Sequence, residues 1–214
     1  MLELIQAIPF SYAAIFPVLN PLGSAVIFLS LTRGASEHEL RKLAFKVAIN
    51  TFVLLIAVLL AGYWILKFFG LTMPIVEVGG GMVVAYIGWS QLNAAHDSEK
   101  HENEKVRGKK DIQSMAFFPL TMPLTAGPGC IAVTLTIGAH SIATAVLLKQ
   151  IGICLGILLA AITVYLCYGY ADKIMKTLGT SGTQVILRLS SFILLCIGLQ
   201  IVWKGVHTLM VGGV

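Results

Sequence analysis

Two short stretches rich in proline and glycine interrupt long apolar runs of the chain, and their residues are the ones best placed to do chemistry. The first is Asn20-Pro-Leu-Gly-Ser24, and the second is Thr125-Ala-Gly-Pro-Gly129. Proline removes a backbone donor and pushes the preceding residue out of the α region, so both stretches are predicted to break a helix. A broken helix exposes free amides and free carbonyls, whose partial charges of about half a unit suit a zwitterion.

The two breaks stand at equivalent places in the two halves of the chain. Pro21 and Pro128 are 107 positions apart in a chain of 214 residues, and small residues follow each of them. Paired broken helices at corresponding places are typical of the binding sites of membrane transporters. A proline kink without a site is the alternative for either break alone. Their repetition in register favours a site.

The composition indicates an integral membrane protein. Hydrophobic residues make up 57% of the chain and charged residues only 12%. Because a spanning helix needs about 20 apolar residues, the chain has room for about six spans and no separate soluble domain. No Lys or Arg precedes Arg33, so a cleavable signal peptide with a basic start is not expected.

The fold class predicted is all-α and membrane-embedded, with six spans arranged as two inverted three-helix repeats. The first and fourth spans are expected to be discontinuous at Pro21 and Pro128. The predicted spans cover residues 4–31, 43–69, 75–93, 112–142, 143–170 and 184–209. The predicted units are a first repeat over 1–95, a charged cytoplasmic loop over 96–111 and a second repeat over 112–214.

The positions of the basic residues predict the orientation. Of 15 Lys and Arg residues, only Lys67, Lys149 and Lys204 fall on one side of the predicted spans. The positive-inside rule therefore places both termini outside. Three spans per repeat make the second repeat enter from the opposite face, which is the symmetry of many alternating-access carriers.

Few ionisable residues fall within the spans, and none lies in either break. Glu77 and Arg188 stand near the starts of the third and sixth spans, on opposite sides, so no direct pair between them is expected. Each is interpreted as interfacial, with proton coupling by Glu77 and substrate contact by Arg188 as the alternatives. Gly79, Gly80 and Gly81 predict close approach of another backbone.

The sequence offers no basis for several other functions. The basic residues lie between spans without interleaved aromatics, so no nucleic-acid partner is expected. There is no catalytic motif, no paired intramembrane carboxylates and no CxxC pair among the four cysteines. The chain is accordingly not interpreted as an enzyme, and no catalytic residue, metal site or cofactor is predicted.

Several motifs together resemble the MarC family, also called the SnatA or neutral amino acid transporter family of prokaryotes. They are Asn20-Pro-Leu-Gly23, Pro119-Leu-Thr-Met-Pro123 with Ala126-Gly-Pro-Gly129, the run Gly79–Gly81, and Arg188-Leu. The resemblance extends over essentially the whole chain. It implies a multi-pass protein of the cytoplasmic (inner) membrane, distantly similar to LysE-type exporters, that handles glycine, alanine, serine or threonine. Glu77 and Ser190-Ser191 depart from the family pattern.

The predicted partners are a small zwitterionic amino acid and the lipid bilayer, with a proton as a candidate coupling ion. An exporter of other small metabolites and a non-transporting channel or scaffold remain alternatives. The oligomeric state, the coupling ion and the direction of transport are not encoded in any of these motifs. The predicted substrate-binding residues combine the positions matching the family with Ser24: Asn20, Pro21, Gly23, Ser24, Thr125, Ala126, Gly127, Pro128 and Gly129.

Overall fold

A computed structural model describes residues 2–94, 112–143 and 147–211. These residues are almost entirely helical, and no strand occurs among them. Seven α-helices follow one another, with an irregular helical segment between the fourth and the fifth. They are α1 (Leu2–Leu19), α2 (Pro21–Leu31), α3 (Glu37–Phe68), α4 (Met73–Ala94), α5 (Pro128–Ala143), α6 (Leu147–Gly169) and α7 (Ala171–Val211).

Four of these helices are long and apolar enough to cross a membrane. The number rises to six if each of two bent pairs counts as one span. The first pair is α1 with α2, bent by 40°, and the second joins the irregular segment to α5 with a bend of 70°. The helix interruptions predicted at Pro21 and Pro128 are therefore confirmed.

The first break is a single residue wide. Asn20 has φ 43° and ψ 56°, the left-handed region, which asparagine tolerates better than most residues. Its side-chain oxygen accepts a hydrogen bond from the Gly23 amide at 3.3 Å, so it caps α2 directly after ending α1. Pro21 then occupies the first position of α2, where a missing amide hydrogen costs nothing.

The second break is longer and corrects the expectation of two α-helical halves. Its first part is a 3-10 helix (Ile112–Ala116) followed by a π-helical segment (Phe117–Thr125). Phe118 and Met122 within it are extended, with φ and ψ near −121° and 123° at Met122. Each precedes a proline in a cis peptide bond. A residue before proline is disfavoured in the α region, and this condition occurs here twice in five residues.

The two Pro-Leu-Thr triplets of this segment satisfy its backbone in the same way. Thr121 donates its hydroxyl to the carbonyl of Ala116, and Thr125 donates to that of Leu120, both at 2.7 Å. Each bond spans one proline and joins a carbonyl to a hydroxyl five residues later in the chain. Leu120, Thr121 and Thr125 are buried, so these hydroxyls are satisfied inside the protein.

Helices α4 and α7 pack against each other in antiparallel directions through glycines. A Cβ added to Gly81 would lie 2.8 Å from the carbonyl oxygen of Gly198, and one on Gly88 would lie 2.9 Å from that of Ser191. Near the other end, a Cβ on Gly205 would lie 2.7 Å from the Pro74 carbonyl oxygen. The close approach predicted for the glycine run is confirmed at Gly81; at Gly80, the neighbour is Ala132, and Gly79 faces open space.

Other close helix contacts also involve glycines. Gly152 and Gly156 of α6 lie against α1, next to Leu4 and Ser11, while Gly138 of α5 lies against Leu59 of α3. The spacing Gly152-x-x-x-Gly156 places both glycines of α6 on the face that packs against α1. The buried core lies among α1, α2, α3, α5 and α6.

Two helix ends follow from local chemistry. Two helical pieces of α7 meet at Gly179, where φ is 66° and ψ is −179°, so the chain turns at the start of the stretch Gly179-Thr-Ser-Gly182. Glycine adopts this positive φ without steric cost, so one residue suffices to redirect the helix. Ser36 and Glu39 form a capping box at the start of α3. The loop predicted over 96–111 lies outside the described residues.

Candidate functional site

A small cavity lies where the two breaks meet. It has about 40 Å³ of space for water-sized molecules. A single water needs about 10–15 Å³ on this scale, so the cavity has room for about three waters. Its walls come from both breaks and from α4 and α7: Val18, Leu19, Asn20, Ser24, Val84, Ile87, Gln91, Pro123, Leu124, Thr125, Gly127, Gly129, Cys130 and Leu194.

Five of the nine sequence-predicted residues line this cavity. They are Asn20, Ser24, Thr125, Gly127 and Gly129. The other four do not line it: Pro21, Gly23 and Ala126 are buried beside it, and Pro128 is exposed.

The two breaks contact each other directly through Ser24. Its hydroxyl lies 3.4 Å from the Leu19 carbonyl in its own break and 3.4 Å from the Leu124 carbonyl in the other. Although 100 residues separate Ser24 and Leu124, they form one polar contact. The structure therefore brings the two interruptions together, as the sequence repeat suggested.

The start of α5 presents free amides to the cavity. Pro128 has no amide hydrogen, and the Gly129 and Cys130 amides have no hydrogen-bond partner in the described part of the chain. Both residues line the cavity. A helix start of this kind attracts an anionic group, because its free amides and the helix dipole act in the same direction.

The end of α1 offers the opposite polarity. The Leu22 amide does not bond back across the break to the Val18 carbonyl, so that carbonyl is left without an amide partner among the described residues. Val18 lines the cavity. The end of α1 thus adds a free acceptor beside the cavity, and the start of α5 adds free donors, which is the pairing that a zwitterion requires.

Gln91 of α4 is a site residue that sequence analysis missed. Its side-chain oxygen accepts hydrogen bonds from Asn20 Nδ2 and from Ser191 Oγ, both at 3.2 Å. These bonds tie the first break to α4 and α7. A glutamine within an apolar span was the available signal.

Tyr168 of α6 is a second residue that the sequence did not single out. Its ring is fully buried and stacks on Phe28 of α2 at a centroid distance of 4.7 Å. Its hydroxyl and the Thr125 hydroxyl are 2.7 Å apart and share a hydrogen bond. Tyr168 therefore connects α2 with the second break and fixes Thr125 at the cavity wall.

An ion pair between α4 and α7 lies away from the cavity. Lys204 Nζ donates to Glu77 Oε1 at 2.8 Å, between α7 and α4. The Glu77 side chain is 5% exposed and that of Lys204 is 61% exposed. The expectation that Glu77 does not pair with Arg188 is confirmed, but the sequence did not predict its actual partner.

The cavity walls carry no formal charge: none of the residues lining it is Asp, Glu, Lys, Arg or His. Among the described residues, no group of His, Cys, Asp and Glu side chains could hold a metal ion. What the walls offer is main-chain amides and carbonyls, two hydroxyls and two carboxamides. These groups can bind and orient a small polar solute.

Comparison with known proteins agrees with this membrane architecture. The model of the MarC family of integral membrane proteins matches residues 5–210. The inner membrane protein MarC of Salmonella typhimurium is 28% identical over 213 residues, covering 96% of each chain. A membrane protein of Methanocaldococcus jannaschii is 29% identical over 201 residues, covering 92% of this chain and 94% of its own. No solved structure matches the chain.

Proposed function

The chain belongs to the MarC family of integral membrane proteins, and from that premise we propose that it transports small neutral amino acids of the glycine, alanine, serine and threonine class. The zwitterion binds between the two broken helices near the bilayer midplane. Access alternates between the two sides of the membrane. The observation that carries this proposal is the cavity shared by both breaks, with free amides at one wall and a free carbonyl at another.

Charge and size both favour such a substrate. The substrate carboxylate meets the Gly129 and Cys130 amides, and its ammonium group meets the Val18 carbonyl. Because the lining is uncharged, a solute with no net charge binds without a countercharge. Space for about three waters limits the side chain to very few atoms.

The antiparallel packing of α4 against α7 is what an inverted repeat requires of equivalent helices. With an offset of 110 residues, Gly88 corresponds to Gly198, so α4 and the second part of α7 are the equivalent helices of the two halves. Gly81 approaches Gly198, and Gly88 approaches Ser191, so the two helices run in opposite directions.

Inverted repeats give the carrier its mechanism. The two three-helix repeats have opposite orientations in the membrane and similar structures. When each repeat adopts the conformation that the other had before, the site closes to one side of the membrane and opens to the other. The excess of Lys and Arg on one side of the spans places both termini outside. The protein is thus a multi-pass carrier of the inner membrane, with the chain ends on the external face.

The test is counterflow in liposomes. Liposomes that contain the purified protein and are loaded with unlabelled glycine should accumulate labelled glycine transiently. The initial rate of this uptake should saturate as the concentration of labelled glycine rises. A channel would instead give non-saturable flux that follows the electrochemical gradient, and that result would contradict a carrier. Adding a protonophore then separates proton coupling from exchange.

Two substitutions connect this activity to the breaks. Asn20→Leu removes a polar wall of the cavity, and Gly127→Leu fills space next to the Pro123 carbonyl. Both variants are expected to insert normally and to lose counterflow. Full activity in both would exclude the cavity as the transport site.

A further inference from the structure

We propose that Gln91 recognises the carboxylate of the substrate, a role that rests on the proposed function and names the side chain responsible for substrate class. Gln91 lies on α4, outside both breaks, and lines the cavity. It is half-buried. The argument depends on which of its polar atoms are already engaged.

The side-chain oxygen of Gln91 faces the protein. It accepts from Asn20 Nδ2 at 3.2 Å, and the Ser191 hydroxyl also lies 3.2 Å away, although the single hydrogen of that hydroxyl has the Leu187 carbonyl as a nearer acceptor at 2.7 Å. The bond from Asn20 fixes which end of the Gln91 carboxamide is oxygen, because the Asn20 oxygen accepts from the Gly23 amide and its nitrogen can only donate. The amino group of Gln91 is therefore held in a defined orientation.

The amino group of Gln91 is left without a partner among the described residues. A carboxamide nitrogen carries two donors and cannot accept a hydrogen bond. The other free donors at the cavity are the Gly129 and Cys130 amides. Together they provide a donor set from two different elements, and a carboxylate, which accepts several hydrogen bonds, is the part of an amino acid that fits it.

A neutral donor also suits the charge of the site better than a lysine or arginine. A cation at this position would leave the uncharged cavity with a net positive charge whenever it was empty. Gln91 contributes hydrogen bonds without that cost. The inferred ligand requirement is a small molecule with a free carboxylate, and its neutral amide should bind much more weakly.

The contacts of Gln91 extend beyond the ligand. Asn20 belongs to the first break, Gln91 to α4 and Ser191 to α7, so one carboxamide links the three elements around the cavity. A ligand bound to its amino group is therefore in direct contact with the α4–α7 pair.

The experiment uses Gln91→Glu, which keeps an oxygen facing Asn20 and Ser191 and replaces only the amino group by a second oxygen. Counterflow of labelled glycine gives KM, and competition by glycinamide gives its inhibition constant. Glycinamide keeps the ammonium group and lacks the carboxylate. Wild-type protein should favour glycine over glycinamide by about ten-fold or more, as expected for hydrogen bonds to a charged group.

In Gln91→Glu, KM for glycine should rise about ten-fold or more, while the inhibition constant of glycinamide should stay unchanged or fall, because the new carboxylate repels the glycine carboxylate but attracts the ammonium group. Gln91→Met separates this charge effect from the loss of the donor, since it removes the donor, together with the oxygen that Asn20 contacts, without adding charge. In Gln91→Met, KM for glycine should also rise about ten-fold, while the inhibition constant of glycinamide stays within about three-fold. Gln184→Glu is the matched control, because Gln184 is exposed and remote from the cavity lining; its constants should equal those of the wild type.

Two results would overturn the role of Gln91 while leaving transport intact. One is an unchanged KM for glycine in the variant. The other is an equal loss for glycine and glycinamide, which would indicate a structural effect. Absence of any saturable counterflow in the wild-type protein would instead remove the proposed function itself.

Discussion

Asn20 provides a quantitative test of the first break, because two substitutions separate its backbone conformation from its side-chain bonds. Asn20→Ala loses the cap on the Gly23 amide, about 1 kcal/mol, and the hydrogen bond to Gln91, also about 1 kcal/mol. It also forces alanine into the left-handed conformation, at about 1 kcal/mol more. The free energy of unfolding should fall by about 3 kcal/mol in total.

Asn20→Gly loses the same hydrogen bond to Gln91 but differs from Asn20→Ala in the cost of the lost helix cap and in the cost of the left-handed backbone. Glycine at a helix N-cap costs only a few tenths of a kcal/mol relative to asparagine, and it adopts φ 43° freely. The expected loss is about 1 kcal/mol. Asn20→Gly should therefore be more stable than Asn20→Ala by about 2 kcal/mol, or about 4–8 °C in Tm for a chain of this size.

Thermal unfolding in detergent, followed by the fluorescence of the three tryptophans, measures this difference. Asn50, within the regular helix α3, is the matched control. There the order should invert, since glycine in a helix interior is about 1 kcal/mol worse than alanine. If glycine and alanine at position 20 give equal Tm values, or if alanine is the more stable, the account of the first break is wrong.

Two further predictions test the second break and the ion pair. Gly127→Ala would place a Cβ 2.9 Å from the Pro123 carbonyl oxygen and should lower the free energy of unfolding by about 1–3 kcal/mol. Gly79 faces open space, so Gly79→Ala should leave that free energy unchanged or raise it by up to about 1 kcal/mol. Equal Tm values for the two variants would refute the contact at Gly127. Lys204→Met should lower the free energy of unfolding by about 1–2 kcal/mol, because it leaves the buried Glu77 carboxylate without its ion-pair partner. Glu77→Gln should lower it less, because no buried charge is left unpaired. The double variant should recover most of the loss seen in Lys204→Met. A larger loss in Glu77→Gln than in Lys204→Met would show that the ion pair itself, rather than burial of a charge, dominates.

The irregular segment before α5 shows how far local chemistry predicts structure. The sequence places two prolines four residues apart, and the extended conformations of Phe118 and Met122 agree with the preference of residues before proline. The same preference does not break α1, where Ile8 and Phe16 precede prolines and stay helical. Local chemistry therefore indicates where a break can occur, and the hydroxyls of Thr121 and Thr125, which bond to carbonyls five residues earlier, are seen only in the structure.

Membrane class, approximate helix positions and both interruptions follow from the sequence alone. The length of an apolar segment sets whether it can span a membrane, and proline and glycine change the backbone only within a few residues. These effects can therefore be predicted from the local sequence. The capping box at Ser36 and the close glycine contacts of α4 and α6 were predictable for the same reason.

Which residues form the cavity wall was decided only by tertiary structure. Gln91 meets Asn20 across 71 residues and Ser191 across 100, and Lys204 meets Glu77 across 127. Helical periodicity predicts that a side chain lies on some face of its helix, but not which other helix covers that face. The sequence therefore determined where the chain breaks, and the packing of α4 and α7 over those breaks determined what surrounds them.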